Sequence, residues 1–399
     1  MSEPSELAIP SGFRAAAVRA GIKPSGALDL AVLAADRPCG AAGTFTTNRI
    51  AAAPVRWDRE RVPSESIRAI VVNAGNANAA TGAQGSENCR LIAQMAADRL
   101  GCHPDQVLLA STGVIGHQLP MDRVTDGLKR ALEGLSTEES AFRAASQAIL
   151  TTDTKPKIIS RREPLGGRLA NVLGIAKGAA MIGPNMATML AFLLTDARVP
   201  PGHLQGILSE AVHDSFNCLS VEGHTSTNDT VLLLSSGRDR PALEGGDLRV
   251  FARIIRECCT ELARLIADDG EGATHRITID VEGCADAAEA RTLARAVADS
   301  PLIKTAIHGA DPNWGRIVSA AGYAGVPFEE SELSLWLNGD LLYRDGSPVP
   351  FDAAAASARL RAERDVHIRL ALKRGSGSVR FWTCDLTAEY IRLNAEYTT

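Results

Sequence analysis

Apolar and polar positions along this chain follow two different periods, and segments with one period alternate with segments with the other. Short aliphatic and β-branched runs that end in turn residues predict strands at 69–75 and 106–112. Between them, apolar side chains recur with helical spacing over residues 86–100, which predicts an amphipathic helix. The repeated alternation of the two element types predicts an α/β fold.

Further elements are predicted downstream in the same way. Ser136 and Glu139 have the spacing of a capping box in front of the helical run 141–150. Residues 338–340 and 374–378 read as hairpin turns, so we expect substantial antiparallel pairing towards the C-terminus. Helices are predicted at 202–216, 247–267, 285–298 and 353–363, and strands at 230–234, 276–281, 333–337, 366–372 and 378–383.

The segment 177–192, KGAAMIGPNMATMLAF, is rich in small apolar residues and has Lys177 as its only ionisable side chain. The uncharged run that follows Lys177 just reaches the length of a membrane-spanning helix. Gly183, Pro184 and Asn185 break its centre, however, and no aromatic belt or basic cluster frames it. We therefore expect a buried strand and turn, and no membrane association.

Composition narrows the classes of function. A chain of 399 residues can bury a large core, and two or three domains are expected, with a boundary near 270–275. A net charge of −5 and only four Trp and four Tyr argue against nucleic acid as a partner. The eight cysteines lack zinc spacing, so no metal is expected, and the N-terminus lacks a signal-peptide pattern. Reduced thiols in a cytoplasmic protein are the simplest interpretation.

Several polar loops contain residue types that are common in chemical sites. Thr112 and Gly113 follow a strand and can present backbone N–H groups to an oxyanion, although plain strand-to-loop turns often carry such residues. Residues 73–82, NAGNANAATG, fit a tight turn or a ligand-binding loop equally well. Residues 222–230, EGHTSTNDT, have more hydroxyl groups than a plain loop needs, and residues 308–316, HGADPNWGR, suit either a site or a structured turn.

Two charged stretches favour a structural interpretation. Residues 151–157, TTDTKPK, read as the C-terminal stop of a helix. Residues 267–273, ADDGEGA, lack the ligand spacing of a calcium loop and read as a charged helix end. The sequence contains neither a Walker loop nor GxGxxG nor GxSxG, so no nucleotide cofactor is expected.

Thr188 follows Ala187 in the middle of the apolar segment, after the rigid Pro184. Attack of its hydroxyl on the Ala187–Thr188 peptide would give an ester that water can cleave. The new N-terminal α-amine, with a pKa near 8, could then act as general base for the threonine hydroxyl. Taken alone, the residues favour an ordinary core threonine, because Ala-Thr pairs are frequent in buried strands.

Taken together, the motifs resemble those of the ornithine acetyltransferases, the bifunctional proteins of arginine biosynthesis. The resemblance covers nearly the whole chain, and motifs in the family's order are much more specific than a single Ala-Thr pair. The motifs are GIK, TTNR, NAGNANA, STGVIG, TTDT, KGAAMIGPNMATML, TSTNDT, DGEGAT, HGADPNWGR and the terminal EYIRLNAEYTT.

This resemblance implies an autoprocessing acyltransferase that moves an acetyl group from N-acetylornithine to glutamate with ping-pong kinetics. Thr188 would be the nucleophile, freed by cleavage after Ala187, and Thr112 and Gly113 would stabilise the oxyanion. No cofactor is expected, and acetyl-CoA stays open as a second donor. The implied substrate-binding residues are Thr151, Lys177, Thr188, Glu271, Asn394 and Thr399.

The resemblance also implies a layered α/β sandwich similar to that of N-terminal-nucleophile aminopeptidases. The main domain would span 1–275, and a smaller C-terminal α/β domain, 276–399, would return its tail to the active site. The processed chains 1–187 and 188–399 would pair into a heterotetramer. Two alternatives stay open: an N-terminal-threonine amidohydrolase or aminopeptidase, in which water takes the acyl group, and an amino-acid-binding paralogue that does not cleave itself.

Overall fold

Two β-sheets and the helices packed on them make up the fold. The structure is a computed structural model that describes residues 6–183, 189–237 and 239–396, without the side chain of Pro201. The predicted fold class, a mixed α/β architecture, is confirmed with two sheets. The proposed division at residue 275 stays a prediction, although the first sheet ends at Ser235 and the second begins at Arg276.

The first sheet has eight strands and is mixed in direction. Its order is β4-β3-β2-β8-β7-β6-β5, with β1 paired to β2. The pairs β3·β4 and β7·β8 are parallel, and the other pairs are antiparallel. The strands are β1 Phe13–Val18, β2 Leu30–Phe45, β3 Ser64–Asn76, β4 Val107–Val114, β5 Lys157–Leu165, β6 Arg168–Lys177, β7 Leu190–Thr195 and β8 Thr230–Ser235.

Strands β7 and β8 lie in the middle of this sheet because their sequences are apolar on both faces. LAFLLT and TVLLLS are buried at every position, as expected for strands covered on both sides. The prediction that the apolar segment around Thr188 contains a buried strand is thereby confirmed for Leu190–Thr195. Among the described residues, none of the helices is long and apolar enough to cross a membrane.

The second sheet has six strands in the order β12-β11-β10-β13-β9-β14. Burial alternates along β9, with Ile277, Ile279 and Val281 facing inward, so one face of the sheet covers the core. The strands are β9 Arg276–Cys284, β10 Ser334–Leu337, β11 Asp340–Arg344, β12 Ser347–Pro348, β13 Asp365–Ala371 and β14 Gly377–Cys384.

The helices cover both sheets, and α6 connects them. Its apolar side packs on β5 and β6 of the first sheet and on β14 of the second. Ile255 of α6 therefore belongs to the same buried cluster as Leu193 and Ile279, one from each sheet. The helices are α1 Ala53–Arg59, α2 Gly82–Leu100, α3 Met121–Glu133, α4 Glu139–Ala148, α5 Pro201–His213, α6 Gly245–Asp268, α7 Ala287–Ala298, α8 Pro301–His308, α9 Trp314–Gly322, α10 Ala353–Ala362 and α11 Ala388–Glu396.

Most predicted elements exist, but two local predictions are wrong. The helix after Ser136 begins at Glu139 without a side-chain cap, because the Glu139 carboxylate accepts instead from the Leu7 amide and Arg143. Residues 374–378 do not form a hairpin, because β9 lies between β13 and β14. The expected antiparallel pairing towards the C-terminus is confirmed, since every strand pair of the second sheet except β9·β13 is antiparallel.

Candidate active site

Lys177 is the last residue of β6, and its ammonium group is the centre of a buried polar cluster. Its Nζ donates to Thr112 Oγ1 at 3.1 Å and to Thr151 Oγ1 at 2.8 Å. Thr112 lies near the end of β4, whereas Thr151 follows α4. The ammonium group of Lys177 therefore joins two other predicted site residues, Thr112 and Thr151, that are far apart in the sequence.

An ion-pair network holds the segment that carries Thr151. Asp153 Oδ1 accepts from Lys157 Nζ at 2.7 Å and from the backbone N–H of Gly178 at 2.6 Å. Lys157 Nζ also donates to Asp269 Oδ2 at 2.6 Å, and the three charged side chains are at most 2% exposed. The network joins the end of β6 to the end of α6.

Charge pairing decides the ionisation of this cluster. Burial tends to raise the pKa of Asp153, but the ammonium groups of Lys177 and Lys157 outweigh it and hold that pKa at about 2. Burial lowers the pKa of Lys177, and the Asp153 carboxylate, 3.9 Å from its Nζ, opposes that shift. The charge on Lys177 therefore depends on Asp153.

Residues 151–157 were interpreted as the C-terminal stop of a helix. That interpretation is correct in that α4 ends nearby, at Ala148, but it does not include the ion pairs. The available signal was an acid and a lysine four residues apart, Asp153 and Lys157. The other partner of Lys157, Asp269, is 112 residues away in the chain. A sequence pattern alone does not identify such a partner.

Gly113 follows Thr112 where β4 lies beside β3, and its backbone requires glycine. It has φ +127°, and a Cβ there would lie 2.4 Å from the carbonyl carbon of Gly75. The two backbones therefore touch, beside the hydroxyl that Lys177 contacts. The oxyanion role of Thr112 and Gly113 stays a prediction.

Glu271 and Asn394, both predicted to bind substrate, contact each other. Asn394 Nδ2 of α11 donates to Glu271 Oε2 at 2.8 Å. The backbone N–H of Glu271 donates to Ala179 O at 2.9 Å, two residues after Lys177. The Glu271 carboxylate also tends to raise the pKa of Lys177, which burial lowers, so the two charges lie in one region.

Three predicted residues, Ala187, Thr188 and Thr399, lie outside the described residues. The chain is described on both sides of the first two, at Ile182 and Met189. One polar loop, residues 220–230, contacts both of these flanking positions.

Two buried acids of loop 220–230 make these contacts. Glu222 Oε1 accepts from the Ile182 N–H at 2.6 Å, and Asp229 Oδ1 accepts from the Met189 N–H at 3.1 Å. The second oxygen of each carboxyl is buried and has no hydrogen-bond partner in the described part of the chain. Burial raises the pKa of Glu222 to about 8 and that of Asp229 well above its usual value.

The sequence indicated that residues 222–230 are unusually polar, but it could not say what they contact. The other open motif, residues 308–316, is a structured turn in part. Asn313 caps α9 by accepting from the Arg316 N–H, and Trp314 stacks on Tyr343 with ring centroids 5.5 Å apart.

The sequence profile of the ArgJ family matches residues 14–399. The chain belongs to the ArgJ family. One relative, the arginine biosynthesis bifunctional protein ArgJ of Rhodopirellula baltica, is 42% identical over 395 residues. That alignment covers 98% of this chain and 96% of the relative.

Solved structures include family members and more distant proteins. The crystal structure of the arginine biosynthesis bifunctional protein ArgJ from Bacillus halodurans aligns with a TM-score of 0.50 and 39% identity. The alignment covers 52% of this chain and 98% of the Bacillus halodurans chain. The l-aminopeptidase d-ala-esterase/amidase of Ochrobactrum anthropi, a variant of the Ntn hydrolase fold, aligns with a TM-score of 0.38 and 11% identity.

The family predicted from the order of the motifs is confirmed. With it, the prediction of an acyltransferase of arginine biosynthesis is also confirmed. The roles of individual residues are a separate matter, and they rest on the geometry of the described residues.

Proposed function

We propose that the chain cleaves itself between Ala187 and Thr188 and then uses Thr188 to carry an acetyl group. The donor would be N-acetylornithine and the acceptor glutamate. Because the acetyl group is held as an ester of Thr188 between two half-reactions, the kinetics are expected to be ping-pong. Acetyl-CoA would serve as a second donor, which gives the amino-acid N-acetyltransferase activity of a bifunctional enzyme.

The observation that carries this proposal is the register of β6 and β7. Lys177 pairs with Leu190, which is two residues after Thr188 in the sequence. The same lysine donates to Thr112 and Thr151. Residues expected to bind a substrate and to stabilise an oxyanion therefore share a hydrogen-bond network at the strand end that leads into Thr188.

The residue types suit substrates that are amino acids. Lys177 can pair with an α-carboxylate, and Glu271 can pair with the ammonium group of ornithine. Asn394 already donates to Glu271 and would orient its carboxylate, while Thr151 and Thr399 would offer hydroxyl groups. The backbone N–H groups at Thr112 and Gly113 would stabilise the tetrahedral oxyanion.

The half-length match to the Bacillus halodurans chain supports a cut near the middle of the polypeptide. That chain is covered to 98% of its length but corresponds to 52% of this one. The segment 188–399 makes up about the same share of the 399 residues. We further propose that the two pieces stay together, form a heterotetramer and act in the cytoplasm.

The proposal is tested by intact-mass spectrometry of the denatured protein beside a Thr188→Ala variant. Two fragments, 1–187 and 188–399, are expected in the wild type and in a control variant, Thr305→Ala, which changes an exposed threonine of α8. The Thr188→Ala variant should remain one chain. An uncut wild type would overturn the proposal, because the N-terminal amine that serves as base would not exist.

Acyl transfer is measured separately on the cleaved protein. N-acetylornithine with glutamate should yield ornithine and N-acetylglutamate, and parallel initial-rate lines are expected for the two substrates. A cleaved protein that releases acetate at the same rate with and without glutamate would instead be a hydrolase. Acetyl-CoA with glutamate tests the second donor.

A further inference from the structure

Loop 220–230 connects two strands that the sheet itself leaves far apart. Strand β4 carries Thr112 and Gly113, and β7 begins two residues after Thr188. In the first sheet, β3, β2 and β8 lie between β4 and β7. Backbone pairing between neighbouring strands therefore does not directly fix the distance between the predicted oxyanion pair and the predicted nucleophile.

Asn228 holds the β4 side of this arrangement. Its Nδ2 donates to Ser111 O at 2.8 Å and to Ala77 O at 2.6 Å. Ser111 is the residue immediately before Thr112. The Asn228 side chain is 4% exposed, so these two hydrogen bonds are formed away from water. Losing them would leave two buried carbonyl groups without that donor.

Asp229, the next residue, holds the β7 side. Its Oδ1 accepts from the Met189 N–H at 3.1 Å, and the Met189 carbonyl accepts from the Thr230 N–H at 3.1 Å. Both backbone polar groups of Met189 are thus held by Asp229 and Thr230. Met189 is the residue immediately after Thr188 in the sequence.

We propose that the adjacent pair Asn228–Asp229 is a positioning device that sets the nucleophile strand against the oxyanion strand. Asp229 acts through Met189, and Asn228 acts through Ser111. Neither side chain is assigned a bond-forming role. This inference rests on the proposed function of Thr188, Thr112 and Gly113.

The surroundings of Asp229 support a geometric role. The residue is fully buried, and burial raises the pKa of its carboxyl well above the usual value. A group that favours its neutral form holds the Met189 amide by one oxygen without placing a full charge against it. The asparagine side chain has the same shape and the same acceptor oxygen, so it should replace this function.

The test compares Asp229→Asn with Asp229→Ala in the full-length protein. Cleavage is followed by intact mass from the time of synthesis, and acetyl transfer is then measured on the purified cleaved fraction. Asp229→Ala should slow cleavage and lower kcat by about 100-fold, the size of effect that a displaced reacting group produces. KM should change little, because the substrate contacts lie elsewhere. Asp229→Asn should cleave and turn over close to the wild type.

Asp98→Asn, an exposed change on α2, is the matched control for the asparagine substitution. If the wild-type protein is not cleaved, the proposed function itself is wrong, and this inference fails with it. Cleavage and kcat that are unchanged in Asp229→Ala, with the wild type cut, would overturn only the positioning role. An asparagine variant as impaired as the alanine variant would also overturn it, since the ionisable group rather than its shape would then matter.

Thermal unfolding of each variant separates loss of fold from loss of position. If Asp229→Ala does not fold, Asn228→Ala provides the same test from the other strand. It is expected to lower kcat with little change in KM, because it releases Ser111 and not the substrate residues. Full kcat in a folded Asn228→Ala variant would contradict the inference.

Discussion

Two groups of buried acids, one around Lys177 and one in loop 220–230, contain carboxyl groups whose pKa values are shifted in opposite directions. In the cluster around Lys177, Asp153 and Asp269 both contact the Lys157 ammonium, and the pKa of Asp153 is held at about 2. In loop 220–230, Glu222 and Asp229 are also buried, but backbone N–H groups are the donors they contact. Burial raises the pKa of Glu222 to about 8.

The difference shows that burial alone does not decide the charge of a carboxyl group. A buried acid stays ionised when a cation compensates its desolvation, and otherwise its neutral form is favoured. The paired cluster can therefore orient Lys177, whereas the acids without a cationic partner can hold backbone amides without adding charge.

Removing the lysine that both acids share should cost the most stability. Lys157→Met leaves Asp153 and Asp269 buried without that ammonium group, and we expect unfolding to become easier by about 3–5 kcal/mol. Urea denaturation at pH 7 measures this change. Lys155→Met is the matched control, because Lys155 pairs with Asp268 at the surface and should change stability by about 1 kcal/mol or less. Equal effects of the two substitutions would contradict the contrast.

Replacing a buried acid that has no cationic partner by a neutral side chain should stabilise the protein, in contrast to Lys157→Met. The folded pKa of Glu222, about 8, lies above the ordinary 4.5. Its stabilising contribution is therefore complete below about pH 4.5 and is lost as the pH rises through 8. Glu222→Gln keeps the acceptor for the Ile182 N–H and cannot ionise, so it should be more stable than the wild type by about 2–4 kcal/mol at pH 8.

The stability gain of Glu222→Gln should disappear near pH 4.5, which urea denaturation at both pH values can establish. Glu363→Gln, an exposed change after α10, controls for the loss of a negative charge. A Glu222→Gln variant less stable than the wild type at pH 8 would show that the carboxyl is ionised and compensated.

The charge of Lys177 provides a prediction for activity. Asp153→Asn removes the carboxylate that opposes the lowering of the Lys177 pKa by burial. The alkaline limb of kcat/KM should therefore move to lower pH. Asp268→Asn, which neutralises an acid paired with Lys155, is the control and should leave the limb in place. If the alkaline limb of kcat/KM stays in place in Asp153→Asn, the ionisation of Lys177 does not control the reaction.

The smallest effect is expected on the outer face of the second sheet. Arg380 Nε lies 2.7 Å from Asp280 Oδ1, with the arginine side chain 59% exposed. Water and salt screen such a pair, so Arg380→Ala should change the free energy of unfolding by about 0–1 kcal/mol. The same urea denaturation measures this change. If Arg380→Ala lowers the free energy of unfolding as much as Lys157→Met does, burial does not decide the contribution of an ion pair.

Much of the architecture was predictable from local pattern. The strand 230–234 and the helix 247–267 were located to within about two residues, because their apolar periodicity reflects burial directly. The hairpin predicted at 374–378 failed for a nonlocal reason. Two consecutive strands with a short connection usually pair, but here β9 comes from about 100 residues earlier and pairs with both.

The residues of the candidate site also fall into two groups, those that the sequence predicted and those that it did not. Thr112, Thr151 and Lys177 were predicted from motifs, and the fold brings their side chains together. Asp153, Lys157 and the loop acids were not identified. A lone Asp or Glu in a polar stretch has the same local signature whether it ends at the surface or in the core.

The order of the motifs along the chain was enough to identify the family, and the spacing of apolar residues was enough to locate most helices and strands. Which buried charges have partners, in contrast, depends on the packing of distant segments. Lys157 meets Asp269 across 112 positions of the chain, and Asn228 meets Ser111 across 117. Desolvation and Coulomb attraction depend on distances in space, and those distances exist only after the sheets and α6 have packed.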